Sequence, residues 1–217
     1  MPRSFNTAGP CRADIDYMLP PTARLPHVMP LIEEQRYFVL HAARQTGKTT
    51  ALLALAAELT ASGRYVSALV SMEVGAPFDN DPGMAEGAIL DDWRAAARSQ
   101  LPQALTPPPW PPARPGRQIG AALAAWAMAA PRPLVVFLDE IDALADAALL
   151  SVLRQLRAGY ARRPGEFPWS LALVGLRDVR DYRFREGVAG RMGTASPFNI
   201  KVESITLRDF TAEEVGD

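Results

Sequence analysis

The chain has 217 residues, a formal net charge of -1, 48% apolar residues and 22% charged residues. This length and balance are typical of one sizeable α/β domain or two small ones, and they exclude an intrinsically disordered or generally polycationic chain. Cys11 is the only cysteine, which excludes an internal disulfide and a cysteine-rich metal site. The N-terminus has no apolar signal core and no run reaches the roughly 18 apolar residues of a membrane helix, so we predict a cytoplasmic protein with no membrane partner.

The first elements in the chain are a proline-rich stretch, a strand and a helix. The prolines in residues 1–34 indicate an extended approach segment, and we predict a short helix at its end, near Leu25 to Glu33. The compact run "YFVLH" (37–41) then predicts a buried strand. In residues 49–60 apolar side chains recur at helical spacing on one face, namely Leu52, Leu55, Ala56 and Leu59. The predicted order is therefore strand, turn, helix.

A second buried strand is predicted at "YVSALVS" (65–71), after which the regular pattern ends. Between residues 75 and 118 the sequence has an acidic stretch, a short predicted helix at "LDDWRAAARSQL" (90–101) and seven prolines from Pro102 to Pro115. We interpret residues 75–118 as a long surface insertion.

Helices and strands alternate again after this segment. Apolar runs predict strands at "PLVVFLDE" (133–140), "SLALVGL" (170–176) and "KVESITL" (201–207). The helices before and after the first of these have apolar stripes at Ile119, Leu123, Trp126 and Ala130, and at Leu149, Val152, Leu153 and Leu156. This alternation predicts a doubly wound parallel sheet. Near the end, Thr211 and Glu214 fit the capping box of one more helix.

A candidate phosphate loop, "HAARQTGKTT" (41–50), lies at the first strand-to-helix turn. It matches the pattern G-x-x-x-x-G-K-[ST] except that Ala42 replaces the first glycine. Backbone N–H groups of such a turn face phosphates, while Lys48 would add positive charge and Thr49 would be a ligand of Mg²⁺. The alternative is an ordinary turn with an exposed lysine. The candidate nucleotide-binding residues are Ala42, Ala43, Arg44, Gln45, Thr46, Gly47, Lys48, Thr49 and Thr50.

A second motif, "LVVFLDE" (134–140), places two carboxylates at the end of a predicted central strand. Asp139 would belong to the Mg²⁺ shell, and Glu140 would orient or deprotonate an attacking water. The alternative is an acidic helix start, because Asp139, Glu140 and Asp142 would all suit a helix N-terminus. The strand and the phosphate loop upstream favour the nucleotide site.

Arg177 follows the fourth predicted strand in "LALVGLRDVRDYRFR". An arginine at this strand end is a candidate sensor of the γ-phosphate that would stabilise developing charge. The alternative is a solvated salt-bridge surface, because arginines and acidic residues alternate here. Candidates for a finger that reaches a neighbouring subunit are Arg183, Arg185 and Arg191.

Several stretches together resemble a bacterial family of AAA-like ATP-binding proteins, related to the signal-transducing and origin-recognition-type ATPases of the AAA+ superclass. They are "FNTAGPC", "YMLPP", "RLP", "YFVLHAARQTGKTT", "FLDEID", "GLRDVRDYR" and "SPFNIKVESITLRDFT". The resemblance implies a P-loop NTPase core of AAA+ type over residues 35–210. That core is a three-layer α/β/α fold whose five-stranded parallel sheet has the order 5-1-4-3-2. Such proteins usually continue into a helical lid, so we expect residues 211–217 to be its start in a fragment or a truncated reading frame.

The sequence therefore predicts an Mg²⁺-dependent ATPase whose nucleotide state drives a conformational or assembly switch. ATP and Mg²⁺ are the expected cofactors, Glu140, Lys48 and Arg177 the catalytic candidates, and Thr49 and Asp139 the metal ligands. One alternative is a nucleotide-binding regulatory module without significant turnover. Another is a helper of a DNA transaction, which rests on fold analogy. Expected partners are a second copy of the chain or an effector protein.

Overall fold

The structure is a computed structural model that describes residues 6, 9–11, 14–176, 203–208 and 211. Five parallel strands form one sheet: β1 (Tyr37–His41), β2 (Val66–Ser71), β3 (Leu134–Asp139), β4 (Ser170–Gly175) and β5 (Glu203–Thr206). Their spatial order is β2-β3-β4-β1-β5. Counted from the other edge, this is 5-1-4-3-2, and the predicted fold class is confirmed.

Helices cover both faces of the sheet. They are α1 (Val28–Glu33), α2 (Lys48–Ala61), α3 (Pro82–Gln100), α4 (Gln118–Ala129) and α5 (Asp146–Tyr160). Side chains of β3 alternate between two apolar clusters: Val135 and Phe137 pack with α1 and α2, whereas Val136 and Leu138 pack with α3, α4 and α5. The sheet is buried on both faces, which explains its continuous apolar strands.

Helix α3 is longer and more deeply buried than the sequence indicated. We expected a short helix from residue 90 inside a surface insertion, but the helix begins at Pro82. Asp81 caps it by accepting hydrogen bonds from two backbone N–H groups, and Pro82 occupies the first turn, where its missing N–H costs nothing. Ile89 and Trp93 are fully buried in the core. Residues 82–100 therefore belong to the helical layer, and only the proline-rich part that follows runs over the surface.

A buried carboxylate joins the three helices of this layer. Glu86 of α3 is 1% exposed. One carboxylate oxygen accepts the backbone N–H of Gln118, at the start of α4, at 2.9 Å. The other accepts hydrogen bonds from Ser151 and Gln155 of α5, both at 2.7 Å. Because every partner donates, both carboxylate oxygens are satisfied as acceptors.

Among the helices of the described ranges, none is both long and apolar enough to cross a membrane. Of the predicted capping box, Glu214 lies outside the described residues, as does the helix expected after it.

Candidate functional site

The two sequence motifs meet at the carboxyl edge of the sheet. The ends of β1, β3 and β4 surround a cavity of about 390 Å³ there. The lining residues are Arg44, Gln45, Lys48, Thr49, Glu73, Asp139, Glu140, Asp142, Ala143, Gly175 and Leu176. Crevices at the carboxyl ends of parallel strands are the usual ligand sites of open α/β sheets.

The loop between β1 and α2 has the backbone of an anion-binding turn. Gln45 and Gly47 both have positive φ, 61° and 77°. Gly47 is the N-cap of α2 and provides no side-chain hydrogen bond to the helix. The first N–H groups of α2 therefore remain available to a ligand at its positive end. Glycine adopts this left-handed conformation without steric strain, and a Cβ there would also lie 3.0 Å from an Arg24 nitrogen.

Ala42, the departure from the phosphate-loop pattern, fits this backbone without strain. Its φ is not positive, so the position does not need glycine. Its N–H donates to the carbonyl of Gly175 at 3.2 Å, which continues the pairing of β1 with β4 by one residue. The residue is 5% exposed and packs with the α1 and α2 cluster. The alanine methyl group is thus part of the core.

Lys48 folds back over the loop. Its ammonium donates to the carbonyls of Ala42 and Ala43, both at 2.8 Å. Burial lowers the pKa of this lysine, and the neighbouring carboxylates, Asp139 first, counteract the shift. The positive charge thus lies in the lining of the cavity, held by two backbone carbonyls of the loop.

Thr49 and Asp139 connect the two motifs directly. The Thr49 hydroxyl donates to Oδ2 of Asp139 at 2.9 Å, across 90 residues of sequence. Asp139 is 5% exposed, and burial raises its pKa although Thr49 and the Glu140 N–H stabilise the charged form. One carboxylate and one hydroxyl side by side fit Mg²⁺, which prefers a few protein oxygens together with phosphate oxygens and waters. No larger His, Cys, Asp or Glu cluster suited to a metal occurs in the part of the chain that the structure describes.

Glu140 is bonded through its side chain to Ser71 of β2. It has a left-handed backbone, with φ 56° and ψ 38°, which turns the chain out of β3 and exposes its side chain. Ser71, at the end of β2, donates a hydrogen bond to Oε2 of Glu140 at 3.0 Å. Burial raises the pKa of Glu140, and the neighbouring carboxylate of Glu73 raises it further. The two adjacent carboxylates Asp139 and Glu140 therefore have the different exposures that distinct roles require.

Sequence reasoning missed Ser71, Glu73 and Arg24. Arg24 is 8% exposed, and its guanidinium donates to the carbonyl of Thr46 at 2.7 Å and to that of Arg208 at 3.1 Å. It thus joins the candidate phosphate loop to the chain just after β5. The N-terminal residues add a second contact, because the Cys11 N–H donates to the Thr50 hydroxyl at 3.1 Å. A buried arginine in a proline-rich stretch gives no periodic signal, so only the fold brings these contacts to light.

The predicted sensor Arg177 and the finger candidates Arg183, Arg185 and Arg191 lie outside the described residues. The last described residue of this region is Leu176, whose N–H donates to Oδ1 of Asp142 at 3.2 Å. The described chain therefore reaches the rim of the cavity where Arg177 follows in sequence.

Comparisons with known proteins identify the fold. No protein-family model matches the chain, and no curated protein matches it. Among solved structures it is similar to the ORC1 protein of Aeropyrum pernix in complex with DNA, at 18% identity and a TM-score of 0.50 over 92% of this chain and 48% of that one. It is also similar to a chain of Drosophila ORC bound to poly(dA/dT) DNA and Cdc6, at 15% identity and a TM-score of 0.51 over 88% of this chain and 29% of that one. The chain thus spans less than half the length of these structures and shares the AAA+ type of fold with them.

Proposed function

We propose that the chain binds ATP together with Mg²⁺, hydrolyses it, and acts as a conformational or assembly switch. One observation carries the proposal: Lys48, Thr49, Asp139 and Glu140, which come from two distant motifs, line one cavity behind a left-handed glycine turn. An ordinary turn with an exposed lysine would not explain this convergence. The proposal treats residues 35–210 as the ATP-binding core and residues 1–34 as the segment that leads into it.

Each side chain has a distinct role in this proposal. The N–H groups of residues 42–50 and the Lys48 ammonium bind the phosphates, and Lys48 exchanges its two carbonyl partners for phosphate oxygens. Thr49 and Asp139 would hold Mg²⁺, which neutralises charge on the phosphate oxygens. Glu140 orients or deprotonates the attacking water, and its raised pKa improves it as a proton acceptor. Arg177 remains the proposed sensor on the strength of its place in the sequence.

Turnover depends on release of Glu140 from Ser71. While the Ser71 hydroxyl is bonded to Oε2, that oxygen is partly occupied and the side chain leans towards β2. A chain that kept this bond with ATP present would be the alternative, a nucleotide-binding regulatory module without significant turnover. Ser71→Ala separates the two readings, because it frees Glu140 without touching the phosphate loop.

The test combines calorimetric ATP titration, with and without Mg²⁺, and single-turnover hydrolysis with protein in excess. Lys48→Ala should abolish ATP binding, because the variant loses the ammonium group that this proposal assigns to the phosphates at the start of α2. Glu140→Gln should keep ATP and Mg²⁺ bound but slow hydrolysis by about 10²–10⁴-fold, the usual effect of losing a general base. Glu34→Gln, at an exposed glutamate outside the site, is the matched control.

The outcomes separate binding from catalysis. Equal ATP affinity in Lys48→Ala and the parent would refute the phosphate loop. If the parent binds ATP but Glu140→Gln does not change hydrolysis, the protein is better described as a nucleotide-binding regulatory module. An increase in hydrolysis by Ser71→Ala would support the switch at Glu140.

A second candidate is a helper of a DNA transaction. It is favoured by the likeness to structures that contain bound DNA, including that of Aeropyrum pernix ORC1. The test is fluorescence anisotropy of a labelled duplex with ATP, ADP or no nucleotide, repeated over a salt series. Affinity that depends on ATP and falls steeply with salt would support this candidate, because phosphate contacts release counterions. Absence of binding at low salt would remove it.

A further inference from the structure

The segment between α3 and α4 has covalent reasons to form a polyproline II helix. Residues 106–115, "TPPPWPPARP", contain six prolines. The proline ring fixes φ near −65°, and a residue before proline is held extended, so almost every residue from 106 to 112 is restricted to this conformation. Thr106 accordingly has φ −68° and ψ 153°. The run that follows it, to Arg114, is neither α-helix nor strand.

From residue 109 onward, burial along this segment follows a period of three. Trp110 and Ala113 are half-buried, whereas Pro109 and the residues at the two other phases up to Pro115 are exposed. A polyproline II helix has three residues per turn, so one edge faces the protein and two face solvent. We name the exposed side the proline ridge. It consists of Pro109, Pro111, Pro112 and Arg114.

Trp110 fixes the ridge to the helical layer. Its indole N–H donates to the carbonyl of Leu90 in α3 at 2.8 Å. Its ring lies 6.0 Å from that of Trp126 in α4, and the Arg94 guanidinium lies 5.7 Å from it on another side. The ridge is thus presented in one conformation, and little conformational entropy is lost when a partner binds it.

We propose that the proline ridge is a docking site for a partner protein with an aromatic-lined groove and acidic residues at one end. Pro109 and Pro112 are three residues apart on one exposed edge, the spacing at which proline pairs enter such grooves. Arg114 follows two residues later and supplies a charge that an acidic group would complement. Prolines also leave the carbonyls without competing local N–H donors, so tryptophan and tyrosine groups of the partner find acceptors.

The arginines at the end of the ridge are placed for such recognition. Arg114 and Arg117 are exposed, and neither forms a salt bridge among the residues that the structure describes. The Arg117 N–H donates to the Arg114 carbonyl at 3.0 Å, and this turn ends the ridge at a defined point. A plain connector between two helices requires length alone, and neither the period of three nor a terminal charge would follow from it.

The test uses the whole protein and, as a probe, a purified SH3 domain that accepts ligands with a basic residue after the proline pair. Calorimetric titration should show binding by the parent. The double change Pro109→Ala with Pro112→Ala, and separately Arg114→Glu, should each weaken it by at least about tenfold, equivalent to about 1.4 kcal/mol. Pro131→Ala, at an exposed proline after α4, should bind the probe like the parent.

Failure of the parent to bind the probe would overturn the proposal. Binding that persists in the double variant would do the same, because the contact would then lie elsewhere. Thermal melting of each variant checks folding, and Arg114→Glu decides the matter if the proline changes destabilise the chain. The ridge is separate from the residues that line the site cavity, so the result does not depend on ATP binding.

Discussion

Replacement of Arg24 by methionine should weaken both the fold and ATP binding. Methionine retains an unbranched apolar side chain but cannot donate, so it leaves the carbonyls of Thr46 and Arg208 without the guanidinium. Hydrogen bonds from a charged donor contribute about 1.5–3 kcal/mol each. Burial of the charge offsets part of this sum. We therefore expect a loss of about 2–4 kcal/mol in the free energy of unfolding.

The same change should weaken the proposed ATP binding, because the carbonyl of Thr46 belongs to the candidate phosphate loop. If the variant must use about 1.4 kcal/mol of binding free energy to order the loop, its ATP affinity falls about tenfold. Urea denaturation measures the first effect and calorimetric titration the second. Arg24→Lys, which keeps the charge but reaches fewer acceptors, should be intermediate in both assays.

Arg64→Met is the matched control for this experiment. Arg64 forms a salt bridge with Glu33 at 3.1 Å, and its side chain is 60% exposed. Surface pairs of this kind contribute about 0–1 kcal/mol, so the control should unfold and bind ATP nearly like the parent. Equal stability and equal ATP affinity in Arg24→Met and Arg64→Met would refute the role assigned to Arg24.

Three further substitutions test the packing and the electrostatics. Glu86→Gln introduces a donor among donors and should lower the urea-derived stability by about 1–3 kcal/mol; an unchanged midpoint would contradict the network. Gly159→Ala would place a Cβ 2.2 Å from the Phe167 ring. This overpacking should lower the free energy of unfolding by about 1–3 kcal/mol, seen as a lower melting temperature. A melting curve equal to that of the parent would contradict this close approach. Asp139→Asn should raise the melting temperature of nucleotide-free protein at neutral pH, because burial raises the pKa of Asp139 and its ionised form therefore lowers stability. The difference in melting temperature between variant and parent should shrink as the pH falls and Asp139 takes up a proton. A difference that grows in acid would contradict the upward direction of the pKa shift.

The sequence predicted the strands and the paired motifs because both rest on local patterns. The apolar residues 134–138 predict a buried strand whichever elements surround it. Asp139 is then predicted at the carboxyl end of that strand. Thr49 and Asp139 were predicted as ligands of one Mg²⁺, which requires the two side chains to lie close together, and the structure places them in direct contact. The order of the strands came from the family resemblance rather than from any local pattern.

Long-range contacts account for what the sequence could not predict. Ser71 is a small polar residue after an apolar run, and only the pairing of β2 with β3 places it beside Glu140. Arg24 reaches Thr46 across 22 residues and Arg208 across 184 residues. For α3 a local signal was present, because Asp81 before Pro82 is a typical helix start. The acidic and proline-rich surroundings masked it.

The hydrogen bond between Ser71 and Glu140 also provides a route by which a change at the site could reach other parts of the fold. Next to that bond, the Met72 N–H donates to the Asp139 carbonyl at 2.9 Å, so the ends of β2 and β3 move together. The chain then passes through a 3-10 segment, Glu73–Phe78, to Asp79, whose side chain and carbonyl accept the N–H groups of Ala145 and Ala148 at the start of α5. A shift of Glu140 would therefore reach the helical layer on the far side of the sheet from α2 through the Ser71 hydrogen bond, the chain from residue 73 to 79 and the hydrogen bonds of Asp79. We expect amide exchange at the first turn of α5 to change with the state of Glu140, and exchange at the outer surface of α2 to stay the same.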